Sequence, residues 1–514
     1  MVSGEVLIAG AGPTGLTLAC DLLASGVDVR VVDKASGPST TSRALGLMPR
    51  GIEVLDRADA LGDLEQRANP IRRVVVDHGG RQAAHLRLGQ TTKLVTRPGL
   101  LISQAEIEGS LRRRLGELGG AVEWSREVLH ASQDADGLRV QLTDGRTARC
   151  HWMVGCDGAH SRVRNVAGIG FPGVQIIERF LLADVVAELP VPRDAAAVWL
   201  HGTEMMGAFP LPGKDLWRLM APVTDAAHGD LSSSQVLDLL ARQLHERSGC
   251  PVSAVRGAQW TSTFRIHRRL AHRFRQGRML LAGDAAHIHS PFGGQGMNTG
   301  IGDAENLAWK LALVVHDHAD PALLDSYEAE RRPIATEVLQ STSALTAMAL
   351  GDTRLARTLR DHVFAPSLNL PIVQRLVWES ASQLKISYRT GPLARISRWS
   401  LRSGPRPGDR VPDQPCLRRD GSPTRLHAEL GARWVLLIPS TASAQQAQTY
   451  SDRARDRLGA GTVTVLKSQA GRLGQVMLVR PDAHAGGCGL SPTSLDAWLA
   501  GILGRDSTTA TVGS

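Results

Sequence analysis

A chain of 514 residues is too long for one hydrophobic core, so about two to four domains are expected, and 42% hydrophobic residues suffice to fill them. The formal net charge of +9 does not point to nucleic acid, because 53 of the 59 basic residues are arginines spread along the chain and aromatic residues make up only 4%. No apolar run reaches the roughly 18 residues of a membrane span, the first basic residue is Arg30, which argues against a secretory leader, and the six cysteines form no C-x-x-C pair, a pattern that fits a reducing cytoplasm.

In chain order, Glu5-Val-Leu-Ile-Ala-Gly10-Ala-Gly12-Pro-Thr-Gly15 predicts a buried strand, a glycine-rich turn and a helix. Such a turn suits a dinucleotide pyrophosphate: Gly10 permits the tight bend, Gly12 the close approach of backbone amides, and Gly15 the packing of helix on strand. The helix N-terminus adds unpaired N–H groups and partial positive charge. The second strand, from Val29, ends in Asp33, 18 positions after Gly15, close to the roughly 20 expected for an acid that accepts ribose hydroxyls. Residues 102–120 predict a helix from the spacing of Ile107, Leu111, Leu115 and Leu118. Strands follow at 137–143 and 151–155, the second running into Cys156-Asp157-Gly158 and then His160, Arg162 and Arg164.

The segment 176–268 changes character. Apolar stretches at 180–187, 196–200, 205–211 and 216–223, separated by Pro and Gly, predict an antiparallel sheet. Met206, Phe209, Pro210, Trp217 and Met220, with Phe292 from a later loop, suit a flat apolar pocket, although core packing competes at each position. Arginines crowd 265–278, mostly as a solvated face, with one or two placed to meet cofactor phosphates. The strand 278–282 then delivers Asp284. A loop with Pro291, Phe292, Gly293, Gly294 and Gly296 follows, and a helix begins near Met297. Side-chain-free backbone in that loop can lie flat against a ring, and the helix N-terminus can stabilise negative charge there. His287 and His289 have no convincing partners for a metal set. Helical patterns dominate 303–385. A Pro/Gly linker at 401–413 leads to a smaller α/β unit, with strands at 433–438, 462–466 and 475–480 and a last helix capped by Ser491 or Ser494 and ending near Leu503.

The blocks around Gly10, Asp157 and Asp284 together resemble the class A flavoprotein aromatic hydroxylases, the group of p-hydroxybenzoate hydroxylase, and more closely the oxygenases that tailor aromatic polyketides. The resemblance implies an α/β protein. A Rossmann-type (GR2-like) FAD-binding domain would span 1–175 and 269–400, and an interleaved antiparallel-sheet substrate domain 176–268, joined by part of 70–100. A thioredoxin-like C-terminal domain would span 401–514 without a redox Cys pair. It implies that Gly10, Gly12, Gly15 and Asp33 hold the adenosine half of FAD, Arg43 the pyrophosphate, and Gln104 and Asp284 the ribityl chain. Asp157 would serve FAD and NAD(P)H. Pro291, Gly293, Gly294, Gly296, Met297 and Asn298 would border the reactive ring. No general base is named, and His289 stands where many members carry another residue. The implied activity is FAD-dependent, NAD(P)H-consuming hydroxylation of a polycyclic aromatic substrate by O₂ through a flavin C4a-hydroperoxide, with NADPH favoured. Baeyer–Villiger or ring-cleaving oxygenation on the same scaffold is the alternative, and a non-catalytic flavin-binding or assembly protein the alternative of another class. The partners implied are the small aromatic substrate and O₂, with no nucleic acid, membrane or metal; the assembly considered is a homodimer, in the cytoplasm.

Overall fold

The computed structural model describes residues 2–40, 44–78, 80–201, 204–223, 231–289, 294–350, 354–394, 404–459, 461–469, 476–489 and 491–504. Its first sheet is built on five parallel strands, the shortest of them Val122–Glu123 at one edge. Val2–Ala9 lies between Val29–Val32 and Thr147–Gly155, and Met279–Leu281 pairs with the far side of Thr147–Gly155. Val6, Leu7, Ile8, Met153 and Val154 are all buried, as expected of parallel strands covered on both faces. Val122–Glu123 closes one edge, Arg275–Gln276 the other, and the antiparallel pair Val128–Gln133 and Leu138–Leu142 extends from Thr147–Gly155. The register is the important fact. Ala9 pairs with Val32 and with Gly155, and Gly155 pairs with Leu281. Four strands therefore end level, and the residues that follow each of them emerge side by side, where α/β sheets bind ligands.

The second sheet has eight strands: His287–Ile288, Val255–Leu270, Gly173–Ala187, Leu216–Pro222, Glu204–Pro210, Ala195–His201, Arg73–His78 and Arg81–Arg87. All pair antiparallel except Ala195–His201 with Arg73–His78. Alternate side chains point to opposite faces. Leu181, Ala183, Val185, Ala197, Trp199, Met206, Ala208, Trp217 and Leu219 bury one face against Val236, Leu240 and Leu244 of helix Ser233–Ser248. That helix is fixed at both ends, by a Ser232–Gln235 capping box and by Gly249 in the left-handed region. The other face turns toward the first domain: Phe209 packs with Met48, Ile71 and Leu101, and the Arg218 guanidinium donates to the Ala44 carbonyl at 3.3 Å.

The C-terminal sheet runs Pro423–Arg425, Pro415–Leu417, Val463–Ser468, Trp434–Ile438, Met477–Val479, Ala485–Cys488, with only the central pair parallel. Helices Ala444–Leu458 and Pro492–Leu503 accompany it. Both serines considered for the last cap take part: Ser491 Oγ accepts from Ser494 N–H, and Ser494 Oγ from Ser491 N–H. Helix Gly296–Val315 is buried along nearly its whole length between this unit and the first domain. Its Trp309 meets Trp434 edge-on, ring centroids 5.1 Å apart. The expected linker is packed rather than loose over its described part. Gly408 has φ +85°, and a Cβ there would lie 2.5 Å from the Tyr388 carbonyl carbon. Among the described residues, no helix is long and apolar enough to cross a membrane.

Candidate active site

The glycine turn shows why each glycine is needed. Gly10 has φ +106°, and a Cβ on it would stand 2.2 Å from the Cys156 carbonyl oxygen; one on Gly15 would stand 2.0 Å from the Gly10 oxygen. Around Gly12 nothing lies within 4 Å of that position, so its backbone is open to a ligand. Helix Pro13–Ala24 begins there without any side-chain cap, and its first N–H groups have no side-chain partner. Asp33 locks the turn from the neighbouring strand: its carboxylate accepts from Ala11 N–H at 2.7 Å and from Ala35 N–H at 2.8 Å. It remains half-buried, with acceptor positions to spare for a ribose. Gln104 opens helix Gln104–Glu117 and donates to Glu108 at 2.7 Å. Burial raises the Glu108 carboxyl against the Gln104 hydrogen bond and the Arg112 charge, which lower it, and Asp33 adds a smaller upward push.

The second glycine block meets the first at Thr14. A Cβ on Gly283 or on Gly300 would lie 2.6 or 2.4 Å from the Thr14 hydroxyl. Helix Gly296–Val315 therefore starts beside helix Pro13–Ala24, and it too lacks a side-chain cap. Two uncapped N-termini facing one groove make a site for an extended anionic nucleotide. Asp284 lies between them. Its side chain is exposed, yet desolvation by the surrounding protein raises its carboxyl above the usual range; His287 draws it down and Asp303 pushes it up.

Two expected ligand contacts are committed elsewhere. Asp157 accepts from the Ser161 hydroxyl at 2.5 Å and from the N–H groups of Arg162 and Val163 at 2.7 and 3.1 Å. It shapes the turn into helix Arg162–Val166. Asn298 accepts from Met48 N–H at 2.8 Å and donates to the Gly46 and Gly294 carbonyls at 2.9 Å. It ties the start of helix Gly296–Val315 to the segment before helix Pro49–Arg57. Gly294 has φ +63°. Gly296 rather than Met297 opens the helix.

The apolar pocket expectation divides by strand alternation. Met206 and Trp217 are core residues facing helix Ser233–Ser248, and Pro210 is buried on the same face of its strand as Met206. These three face away from Phe209 and Met220 and hold the sheet together. Phe209 and Met220 are half-buried on the opposite face. There Met220 joins Phe180, Phe264 and Ile266, and a Cβ on Gly207 would touch both Phe209 and Met220. Arg218, between them in the strand pattern, grips Asp184 with two bonds of 2.7 and 2.8 Å. The Ala44 carbonyl accepts from Arg218 and from Gln104 N–H, which brings this sheet face to the nucleotide groove. Arg43, Pro291, Phe292 and Gly293 lie outside the described residues.

Sequence reading missed Asp303. Its carboxylate accepts from Gly283 N–H at 3.1 Å, His287 Nε2 at 2.6 Å and Arg331 Nε at 2.7 Å. Burial alone raises this carboxyl, but Arg331 and then His287 outweigh it and hold it below the usual range. The local signal was weak: an acid inside a helix whose other residues are mostly apolar, with its strongest partner 28 positions away.

Residues 3–342 match the FAD-binding-domain family. A 6-methylpretetramide 4-monooxygenase of Streptomyces rimosus is 36% identical over 455 residues, covering 84% of this chain and 79% of its own length. A rifampicin monooxygenase of Rhodococcus hoagii is 32% identical over 510 residues, 98% of this chain and 99% of its own. Among solved structures, the anhydrotetracycline hydroxylase OxyS of Streptomyces rimosus superposes with a TM-score of 0.78 at 31% identity, covering 98% of this chain and 100% of that one. The Diels-Alderase PyrE3 of pyrroindomycin biosynthesis gives 0.77 at 29% identity over the same shares.

Proposed function

The chain belongs to the FAD-binding-domain family of flavin-dependent monooxygenases, and from that premise we propose that it hydroxylates a flat, polycyclic aromatic substrate of polyketide type, using O₂ and NAD(P)H. One observation carries this reading. Four level strand ends present Asp33, Gly10, Asp157 and Asp284 in a row, opposite a sheet face that offers Phe209 and Met220. When bound, FAD supplies the activation of dioxygen with electrons from the nicotinamide.

The chain's own residues bind, orient and keep the site dry. The open backbone at Gly12 and the uncapped helix start at Pro13 receive the pyrophosphate. The Asp33 carboxylate accepts the ribose hydroxyls and Asp284 the ribityl hydroxyls. The uncapped start of helix Gly296–Val315 stabilises negative charge developing at the ring end. The apolar face with Phe180, Phe209 and Met220 displaces water, which oxygen transfer requires if oxidant is not to be wasted. Arg218 on that face is neutralised by Asp184. The six free cysteines and the need for NAD(P)H support a cytoplasmic setting.

The test is incubation of the FAD-loaded protein with NADPH, ¹⁸O₂ and a panel of polycyclic phenols and quinones, followed by mass spectrometry. The expected product gains one ¹⁸O on an aromatic carbon, with substrate-stimulated NADPH consumption. Ring-inserted oxygen would replace hydroxylation by Baeyer–Villiger chemistry. A second reading rests on the likeness to PyrE3: the same architecture can serve ring formation without oxygen transfer. An isomerised product carrying no ¹⁸O, formed without NADPH consumption, would establish that reading instead.

A further inference from the structure

Beyond the groove, six buried charges connect the C-terminal unit to the turn that carries Asp284. Arg480 donates to both oxygens of Glu330, at 2.7 and 2.9 Å, and through Nε to Asp482 at 3.0 Å. Lys310 joins Glu330 at 2.8 Å. The next residue on the same helix, Arg331, donates to Asp303, to the Thr299 carbonyl and to the Tyr388 hydroxyl, at 2.7, 3.0 and 3.0 Å. The Tyr388 ring in turn packs against His484, centroids 4.2 Å apart, and beneath the Arg480 guanidinium. Asp303 then takes N–H groups from the two ends of the Gly283–His287 turn. Asp482 also accepts from Asn306 and Trp309, each at 3.3 Å, on the helix whose N-terminus lies at the flavin side.

Asp303, Glu330 and Asp482 balance Lys310, Arg331 and Arg480, and all six are buried. Such a network gains little stability over apolar packing, because desolvation offsets the Coulomb attraction. Its distinct property is geometric. Forked guanidinium–carboxylate pairs are satisfied in one arrangement only. A unit with no expected catalytic role thus reaches, through two adjacent residues of one helix, the carboxylate that sets the cofactor turn.

We propose that the C-terminal unit is a positioning element of the flavin site, with Arg480 and Asp482 acting through Glu330, Arg331 and Asp303 on the Gly283–His287 turn. The inference rests on the FAD reading of that turn. It is tested on the full-length protein by FAD titration and by the visible circular dichroism of the bound flavin. The variants are Tyr388→Phe, Asp482→Asn, Asp303→Asn and the double Asp303→Asn/Asp482→Asn. Arg457→Ala serves as the control, since it breaks a pair with Asp496 at 2.9 Å between the two C-terminal helices. Tyr388→Phe removes a single hydroxyl and so keeps the test available if an acid variant fails to fold. Tyr388→Phe and Asp482→Asn are expected to weaken FAD binding about fivefold or more and to alter the flavin dichroism. Arg457→Ala should leave both unchanged, and the double variant should bind FAD no worse than Asp303→Asn alone, as for two changes on one route. Wild-type affinity and dichroism in Tyr388→Phe and Asp482→Asn, or multiplied losses in the double variant, would overturn the proposal. A wild-type chain that fails to bind FAD would instead reject the flavin reading, and this inference with it.

Discussion

Asp284 combines two properties that rarely coincide: its side chain is exposed, and the protein around it disfavours its charge. An acid in that state is relieved by donors that a ligand brings, and a ribityl chain brings hydroxyls. Asp284→Ala is therefore expected to weaken FAD binding by about 1.5–3 kcal/mol, the worth of a hydrogen bond to a charged group, or roughly 10- to 150-fold in dissociation constant. Fluorescence titration measures it, and unchanged affinity would remove Asp284 from the cofactor site. The same substitution should leave the melting temperature of the FAD-free protein unchanged, because no part of the core depends on this carboxylate. Asp157 is the contrasting case. It was as legible in the sequence as Asp284, at the end of an equivalent strand, but its carboxylate already serves three donors in its own turn.

Strands explain which predictions succeeded. The glycine turn was legible because backbone sterics leave little choice: at Gly10 a side chain would strike the Cys156 carbonyl. The antiparallel character of the second sheet was legible from its short apolar stretches. Which face of each strand meets the groove was not, because both faces are apolar: Trp217 and Leu219 point one way and Met220 the other. Facing is decided by helix Ser233–Ser248, whose apolar stripe claims Met206 and Trp217. The two faces should respond differently to truncation. Trp217→Ala is expected to cost about 3–5 kcal/mol of stability, as for a large aromatic removed from a core. Met220→Ala should cost little stability but about 1 kcal/mol of substrate binding, roughly a fivefold rise in KM for the aromatic substrate. Thermal melts and steady-state kinetics together decide it. A Met220→Ala enzyme with unchanged KM would move the substrate to another surface.

At the level of the whole molecule, the first domain and the C-terminal unit share one core. A continuous cluster runs from Val6 and Leu16 through Trp309 to Trp434, Trp498 and Leu503. This was the least legible part of the fold, since composition at 401–413 announces a separating linker and nothing local announces that Gly408 and Val411 are packed. His427 shows how the join is made. Its Nδ1 accepts from the Arg57 guanidinium at 3.1 Å, and its Nε2 then carries the proton that meets the Val411 carbonyl at 2.9 Å. The neutral ring is satisfied on both sides, and a protonated ring would face Arg57 with no acceptor at Nδ1. Burial, and next the Arg57 charge, push its pKa down from 6.5 to about 3. A histidine whose folded pKa lies below its unfolded value binds more protons when unfolded, so its contribution is complete above pH 6.5 and is lost as pH falls toward 3. Between pH 7 and pH 5 the loss is about 2 kcal/mol. Raised carboxylates such as Asp21, at about 8, act in the opposite sense across that whole range, so the comparison must be with His427→Gln rather than with pH alone. The amide keeps an acceptor for Arg57 and a donor for Val411 but does not titrate. Calorimetry should show a single transition in both proteins, with the wild type losing stability relative to His427→Gln as pH goes from 7 to 5. Parallel slopes would show that the imidazole is not the titrating group. A separate early transition for the C-terminal unit would show that the shared core does not couple the two, and that the unit could not then hold the flavin turn in place.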